Sequence, residues 1–211
     1  IWHWHFGRGI VGTPDNLGVR GDRPTHPLLL DFLARRFIRD SWSIKSMHRL
    51  LMLSSTYQMS AHHVATDSAR IDPENRFYWR FKRRRLEAEE IRDTLLMHAG
   101  RLDRSLGGAP PKVKSQDLSP VDLMANRRFY ETFRRRAVYL PVVRTNVDKF
   151  LTLLDFPNAG TPVGARDTTT VPTQALMMMN SPFVILQCEF VAQSILADAQ
   201  LANDTARIRQ L

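Results

Sequence analysis

A single cysteine, Cys188, stands among 211 residues, so an intrachain disulfide and a thiolate metal cage are both excluded. Lysine is scarce as well, with five against twenty-five arginines. A cationic set made of planar guanidinium forks favours fixed ion pairs and oxyanion contacts over plain solubility. No apolar run reaches the roughly 18–20 residues that a membrane crossing requires, which excludes a membrane span by length. A signal-peptide pattern is missing too. The chain opens at Ile1 inside an aromatic-rich segment rather than at a methionine, and so reads as a fragment of a larger multidomain protein. No phosphate-binding glycine loop and no compact nucleophile motif occurs.

What is present suits a globular core: 43% of the residues are hydrophobic, enough in a chain of this length for one α-helical domain over residues 1–211. The net charge of +9 is uneven, because beyond Arg166 only Arg207 and Arg209 are basic. Basic residues alternate with Asp and Glu, and no zinc-finger, RNP-like or helix-turn-helix signature accompanies them. Nucleic acid is therefore disfavoured as a partner.

The chain is organised around residues 72–104, where an acidic turn, DPEN, leads into the aromatic FYWRF, a cationic KRRR and a strong helical pattern. Ala88, Ile91, Leu95, Ala99 and Leu102 recur at steps of three and four, the apolar stripe of a helix predicted over 84–103. Arg83, Arg84 and Arg85 stand at its start, the unfavourable end of the helix dipole for cations. Pairs of Arg83 with Glu87 and of Arg85 with Glu89 would offset this by about 0.2–0.5 kcal/mol each. Otherwise the run is an anion-binding cluster.

Before this stretch, the glycine- and proline-rich opening is predicted to be ordered loop. Trp2, Trp4 and Phe6 alternate with His3 and His5, a period of two that sends rings to one side and imidazoles to the other. A helix follows from Pro27, with Leu29, Leu30, Leu33 and Phe37 as its buried stripe. Ser43 caps the next one, in which Ile44, Met47 and Leu51 share a face, and Trp42 has staple spacing to Met47. Residues 57–71 lose periodicity and are expected to be a solvated linker. The hairpin of residues 26–58 is expected to pack on the helix of 84–103, anchored by Phe77, Tyr78, Trp79 and Phe81.

Residues 107–126, rich in Gly, Pro, Lys, Ser and Asp, are expected to be a surface excursion. The run AVYLPVV holds Pro141 and is predicted to be an edge strand or extended crossing. Short helices through TQALMMMN and from Ser181-Pro182 close the core over 172–199, their methionines filling gaps. The fold class is therefore mainly α: an irregular helical domain with long loops and at most a short β-hairpin or extended edge.

Three sets of residues are candidates for chemistry. Glu87, Glu90 and Asp93 form a row of carboxylates on one helix, the pairing that a glycosidase needs. His3, His5 and His26 are candidate metal ligands, imidazole suiting Zn, Cu or Fe. Arg83, Arg84, Arg85, Arg134, Arg135 and Arg136 are candidates for an anion-binding surface, and for the second cluster the alternative is internal pairing with Asp148, Asp155 or Asp167.

Five ordered blocks carry a resemblance: WHWHFGRGIVGTPDNLGVRG, THPLLLDFLARRF, the SxKxxHRL run at Ser43 to Leu50, DPENRFYWR with RRRLEAEEIRD, and DTTTVPTQALMMMN. Together they resemble a planctomycete-specific domain of unknown function, the C-terminal part of large proteins that often carry a cytochrome c-like module upstream. After Tyr57 the run QMSAHH departs from the family's usual Arg-Gln-Ser. The resemblance implies an exported parent, periplasmic or extracellular, linked to polysaccharide catabolism or electron transfer. It implies a non-catalytic binding or assembly module whose partner is the parent's upstream module; an anionic polysaccharide is the ligand expected of the arginine clusters where they are exposed. The alternative is a glycosidase-like hydrolase using the helix carboxylates. No cofactor is expected in this fragment, which lacks the Cys-x-x-Cys-His haem attachment motif; haem belongs to the associated module.

Overall fold

The computed structural model describes residues 1–108, 128–144, 147–198, 200–201 and 203–210. From residue 109 on, the expected surface excursion lies outside the described residues. The chain divides into two compact units, Ile1–Arg85 and Leu86–Leu211. The first holds α1 (Trp2–Phe6), α2 (Pro27–Arg39), α3 (Ile44–Met52) and α4 (Thr66–Ile71). The second holds α5 (Ala88–His98), helical residues 128–132 as α6, a 3₁₀ turn at Ala137–Tyr139, α7 (Lys149–Leu153), α8 (Pro172–Asn180), α9 (Pro182–Ala197) and α10 (Asp204–Gln210). Among the described residues, β pairing is confined to a parallel bridge between Asp103 and Arg135. The protein is mainly α.

In the first unit the opening WHWHF is a helical turn, not an alternating strand. Trp2 and Phe6, four apart, share its inner face and stack at 4.1 Å, while Trp4 points outward. Gly7, at φ +75°, ends the turn by donating its N–H to the carbonyl of His3. Phe6 and Ile10 pack with Leu33 of α2 and with Met47 and Leu51 of α3, so the two helical stripes meet over the N-terminal aromatics. Leu30 and Ile44, both expected inside, face outward. Ser43 caps α3 by accepting from the Ser46 N–H at 3.2 Å. Trp42 does not staple to Met47; at φ +60° it turns back onto Phe37, ring to ring at 5.2 Å. Of the expected aromatic anchors, Tyr78 and Phe81 join this core and Phe77 is exposed. Helix α4 forms within the expected linker but buries no residue.

In the second unit α5 is shorter than predicted. Arg83–Arg85 are not helical, so the helical i,i+4 geometry expected for them does not arise. Glu87 is the N-cap residue, and the Glu90 side chain accepts from its N–H at 2.9 Å. Gly100, at φ +67°, closes the other end. The Gly100 N–H donates to Met97 O and the Arg101 N–H to Leu96 O, the paired bonds of a Schellman motif. Ala88 and Leu96 of α5 pack with Tyr130, Leu140, Phe150, Leu151, Phe183 and Val184. Met177 and Met178 fill in against this core, whereas Met179 is exposed. The AVYLPVV run is a 3₁₀ turn and then an extended crossing through Leu140, whose N–H closes the turn instead of joining a ladder. Helix α8 starts at Pro172 rather than Thr173, Pro at the first position leaving no donor unmet.

Candidate functional site

The carboxylates of α5 are all engaged. Arg166 Nη1 lies 3.0 Å from a Glu87 oxygen and 2.7 Å from a Glu89 oxygen, and the hydrogen bond to Glu89 chiefly raises the arginine's affinity for its proton. Glu90 caps the helix. Asp93 accepts the Ala137 N–H with both oxygens, at 2.8 and 3.0 Å, and takes a hydrogen bond from Arg92 at 3.2 Å.

Arg92 was not among the residues that the sequence pattern singled out, yet among the described residues it is the most buried charge in this unit, at 3% exposure. It lies four residues from Ala88 and four from Leu96 on the inner face. Its guanidinium donates to the carbonyls of Phe133 and Arg135 and faces the rings of Phe133 and Phe183. Burial lowers its hold on the proton, against the pull of Asp93. Burial likewise raises Asp148, which caps α7 by accepting from the Phe150 N–H at 3.0 Å. The signal was an arginine at a stripe position.

Arg135 folds inward. Its guanidinium donates to the carbonyls of Ser105 and Gly107 and stacks on Tyr139 at 4.0 Å, while Arg134 and Arg136 are exposed. Asp155, at φ +65°, receives the N–H and hydroxyl of Thr169 at 2.8 and 2.7 Å, and Gln174 donates to both residues, so the DTTTVPTQ block ties the entrance of α8.

The candidate histidines go separate ways. The His5 and His48 rings meet Nε2 to Nδ1 at 2.6 Å, joining α1 to α3. His26 Nδ1 meets the Thr25 hydroxyl at 2.9 Å, and His3 lies edge-on to Trp4. Among the described residues no group of three His, Cys, Asp or Glu side chains converges as a metal site would need. Cys188 is exposed on α9.

Among the described residues of the first unit, the DPENRFYWRFKRR stretch builds an open groove. Asp72, buried, accepts the N–H groups of Arg76 and Phe77 at 2.9 and 2.8 Å, and its carbonyl takes the Trp79 indole N–H at 2.9 Å. Asn75, at φ +54°, brackets Arg80 by donating to its carbonyl at 2.8 Å and accepting its N–H at 3.3 Å. Asn is among the few residues that adopt this backbone without large strain. The resulting knot projects Arg80, Lys82 and Arg83 into an open groove of about 720 Å³, with Arg8 joining them and Phe81 as an apolar wall. Glu74 is the carboxylate among the lining residues, and Arg8 holds it at 3.1 Å. Arg80 lies over the Trp79 ring at 4.7 Å. Among the described residues Lys82 has no hydrogen-bond or ion-pair partner.

A family model described as PSD1, a protein of unknown function (DUF1553), matches residues 1–211. The chain belongs to this family. The match covers every block quoted above, including the groove-forming DPENRFYWR and the α5 run RRRLEAEEIRD. No curated protein and no solved structure matches the chain.

Proposed function

We propose that this PSD1 domain is a non-catalytic binding module of an exported bacterial multidomain protein linked to polysaccharide catabolism or electron transfer, and that its groove takes an anionic polysaccharide. The observation that carries the reading is the charge of the groove. Four cationic side chains meet one carboxylate that Arg8 already pairs, which leaves an excess aimed at a concave surface. Guanidinium forks match carboxylate and sulfate oxygens in pairs, and Phe81 offers an apolar wall for a sugar ring. The α5 carboxylates, by contrast, act as caps and ion-pair partners, which favours a module over a glycosidase.

Calorimetric titration with oligogalacturonate and with a neutral oligosaccharide of equal length tests the ligand. Binding of the acidic sugar alone is the expected result, and equal heats from the two, or none from either, would refute it. For the assembly role, the parent's purified upstream module should be retained by this domain in a pull-down at micromolar concentration. Absence of retention would count against assembly.

A further inference from the structure

Resting on the reading of the groove as an anion site, we infer that His62 gates it: protonation of this imidazole releases Arg83 and adds a positive charge at the rim. Arg83 Nη2 lies 2.7 Å from His62 Nδ1. A guanidinium has donors and no acceptor, so Nδ1 must be the accepting atom and the ring proton sits on Nε2. A protonated imidazole carries N–H on both nitrogens and cannot accept. The contact therefore belongs to the neutral ring, and charging the ring turns it into repulsion between two cations.

The backbone holds the pair in register. The Phe81 N–H donates to the Ser60 carbonyl at 3.3 Å, and the His62 N–H to the Ser60 hydroxyl at 3.1 Å, so the 60–62 turn runs beside 81–83. Ala61 lines the groove, which puts His62 at its edge. The charged and titratable groups around the contact are His63 on the same turn, Arg80, Lys82 and Arg84 on the facing segment, and the Arg8–Glu74 pair across the groove. With Glu74 held by Arg8, an incoming anion is the natural partner for a charged His62 and a freed Arg83 fork. Sulfate esters keep their charge over the range in which imidazoles gain theirs, so a change in sulfate binding with pH reports the protein's side of the contact.

The test is the affinity of the chain for a dextran sulfate oligomer, whose charge is constant, at pH 7.5, 6.5 and 5.5 and fixed ionic strength. Wild-type affinity should rise on the order of fivefold from the highest to the lowest pH, the effect of one added close charge. In His62→Gln the profile should be flat at the neutral-pH affinity, because the amide oxygen still accepts from Arg83 and gains no charge. His63→Gln should keep the wild-type response. A flat wild-type profile, or an unchanged rise in His62→Gln, overturns the gate and leaves the groove reading standing. No binding at any pH overturns both.

Discussion

Arg92 Nη1 donates to the carbonyl oxygen of Arg135 at 3.1 Å, a bond that joins the inner face of α5 to a segment 43 residues further along the chain. The same guanidinium serves Phe133 O and the Asp93 carboxylate, and Asp93 in turn holds the Ala137 N–H. One buried cation thus satisfies the backbone between α6 and the 3₁₀ turn. Arg92→Met keeps much of the volume but strands these acceptors, so it should destabilise the chain by about 2–4 kcal/mol. A urea-unfolding midpoint reads this directly, and a midpoint unchanged from wild type would mean that the network contributes nothing. Arg92→Lys should be intermediate, since one ammonium lacks the fork that spans two carbonyls.

The opening loop owes its path to contacts that a side chain would block. A Cβ on Gly21 would sit 1.9 Å from the Asn16 carbonyl oxygen, a backbone atom that cannot swing aside. At Gly18 nothing lies within 4 Å. Gly21→Ala should therefore lower stability by about 1–3 kcal/mol, whereas Gly18→Ala should stay within about 0.5 kcal/mol of wild type. Similar thermal midpoints for the two variants would show that the loop rearranges freely.

Acid should loosen the first unit through His5. Burial holds its proton affinity below the ordinary imidazole value, and the neighbouring His48 acts in the same direction. The unfolded chain then binds the proton more readily than the folded one. Stability from this source is complete above the unfolded value near pH 6.5 and declines as the pH falls through it. His3 is shifted the same way, chiefly by burial. The thermal midpoint should drop between pH 7.5 and 5.5, and His5→Phe should show a shallower drop. An equally steep profile in that variant would assign the effect elsewhere.

Helical periodicity made α2, α3, α5 and the helices near the C-terminus legible, because 3.6-residue spacing of Leu, Ile and Met is a local property of the chain. The N-terminal WHWHF misled through its period of two: only tertiary contact of Trp2 with Tyr78, by ring edge and by an Nε1–H bond of 2.7 Å, shows why the segment coils. The start of α5 was misplaced for a similar reason. Arg83–Arg85 have good helix propensity, yet the knot at Asp72 and Asn75 sets the backbone that enters them, and tertiary context overrides propensity. Of the groove, the cationic run with Arg83 was visible in the sequence. Arg8 was not, since its place depends on a fold that brings residues 8 and 74 together. Arg92 hid in plain sight, as a charge on a stripe reckoned from the apolar residues beside it.

Two pairs of cations can now be set against each other as carriers of polyanion affinity. Lys82 and Arg83 line a concave groove with an apolar wall, where field lines concentrate; Arg134 and Arg136 flank the inward-turned Arg135 as separate exposed side chains. Each double alanine variant loses the same formal charge, so any difference between them measures placement and not net charge. Lys82→Ala/Arg83→Ala should elute from a heparin column at clearly lower salt than wild type, and Arg134→Ala/Arg136→Ala only slightly earlier than wild type. The slope of log affinity against log salt should fall by about 1 for each groove contact removed, because fewer counterions are released on binding. Equal shifts in the two variants would reduce the interaction to general charge. A larger shift for Arg134→Ala/Arg136→Ala would move the ligand surface to the second unit.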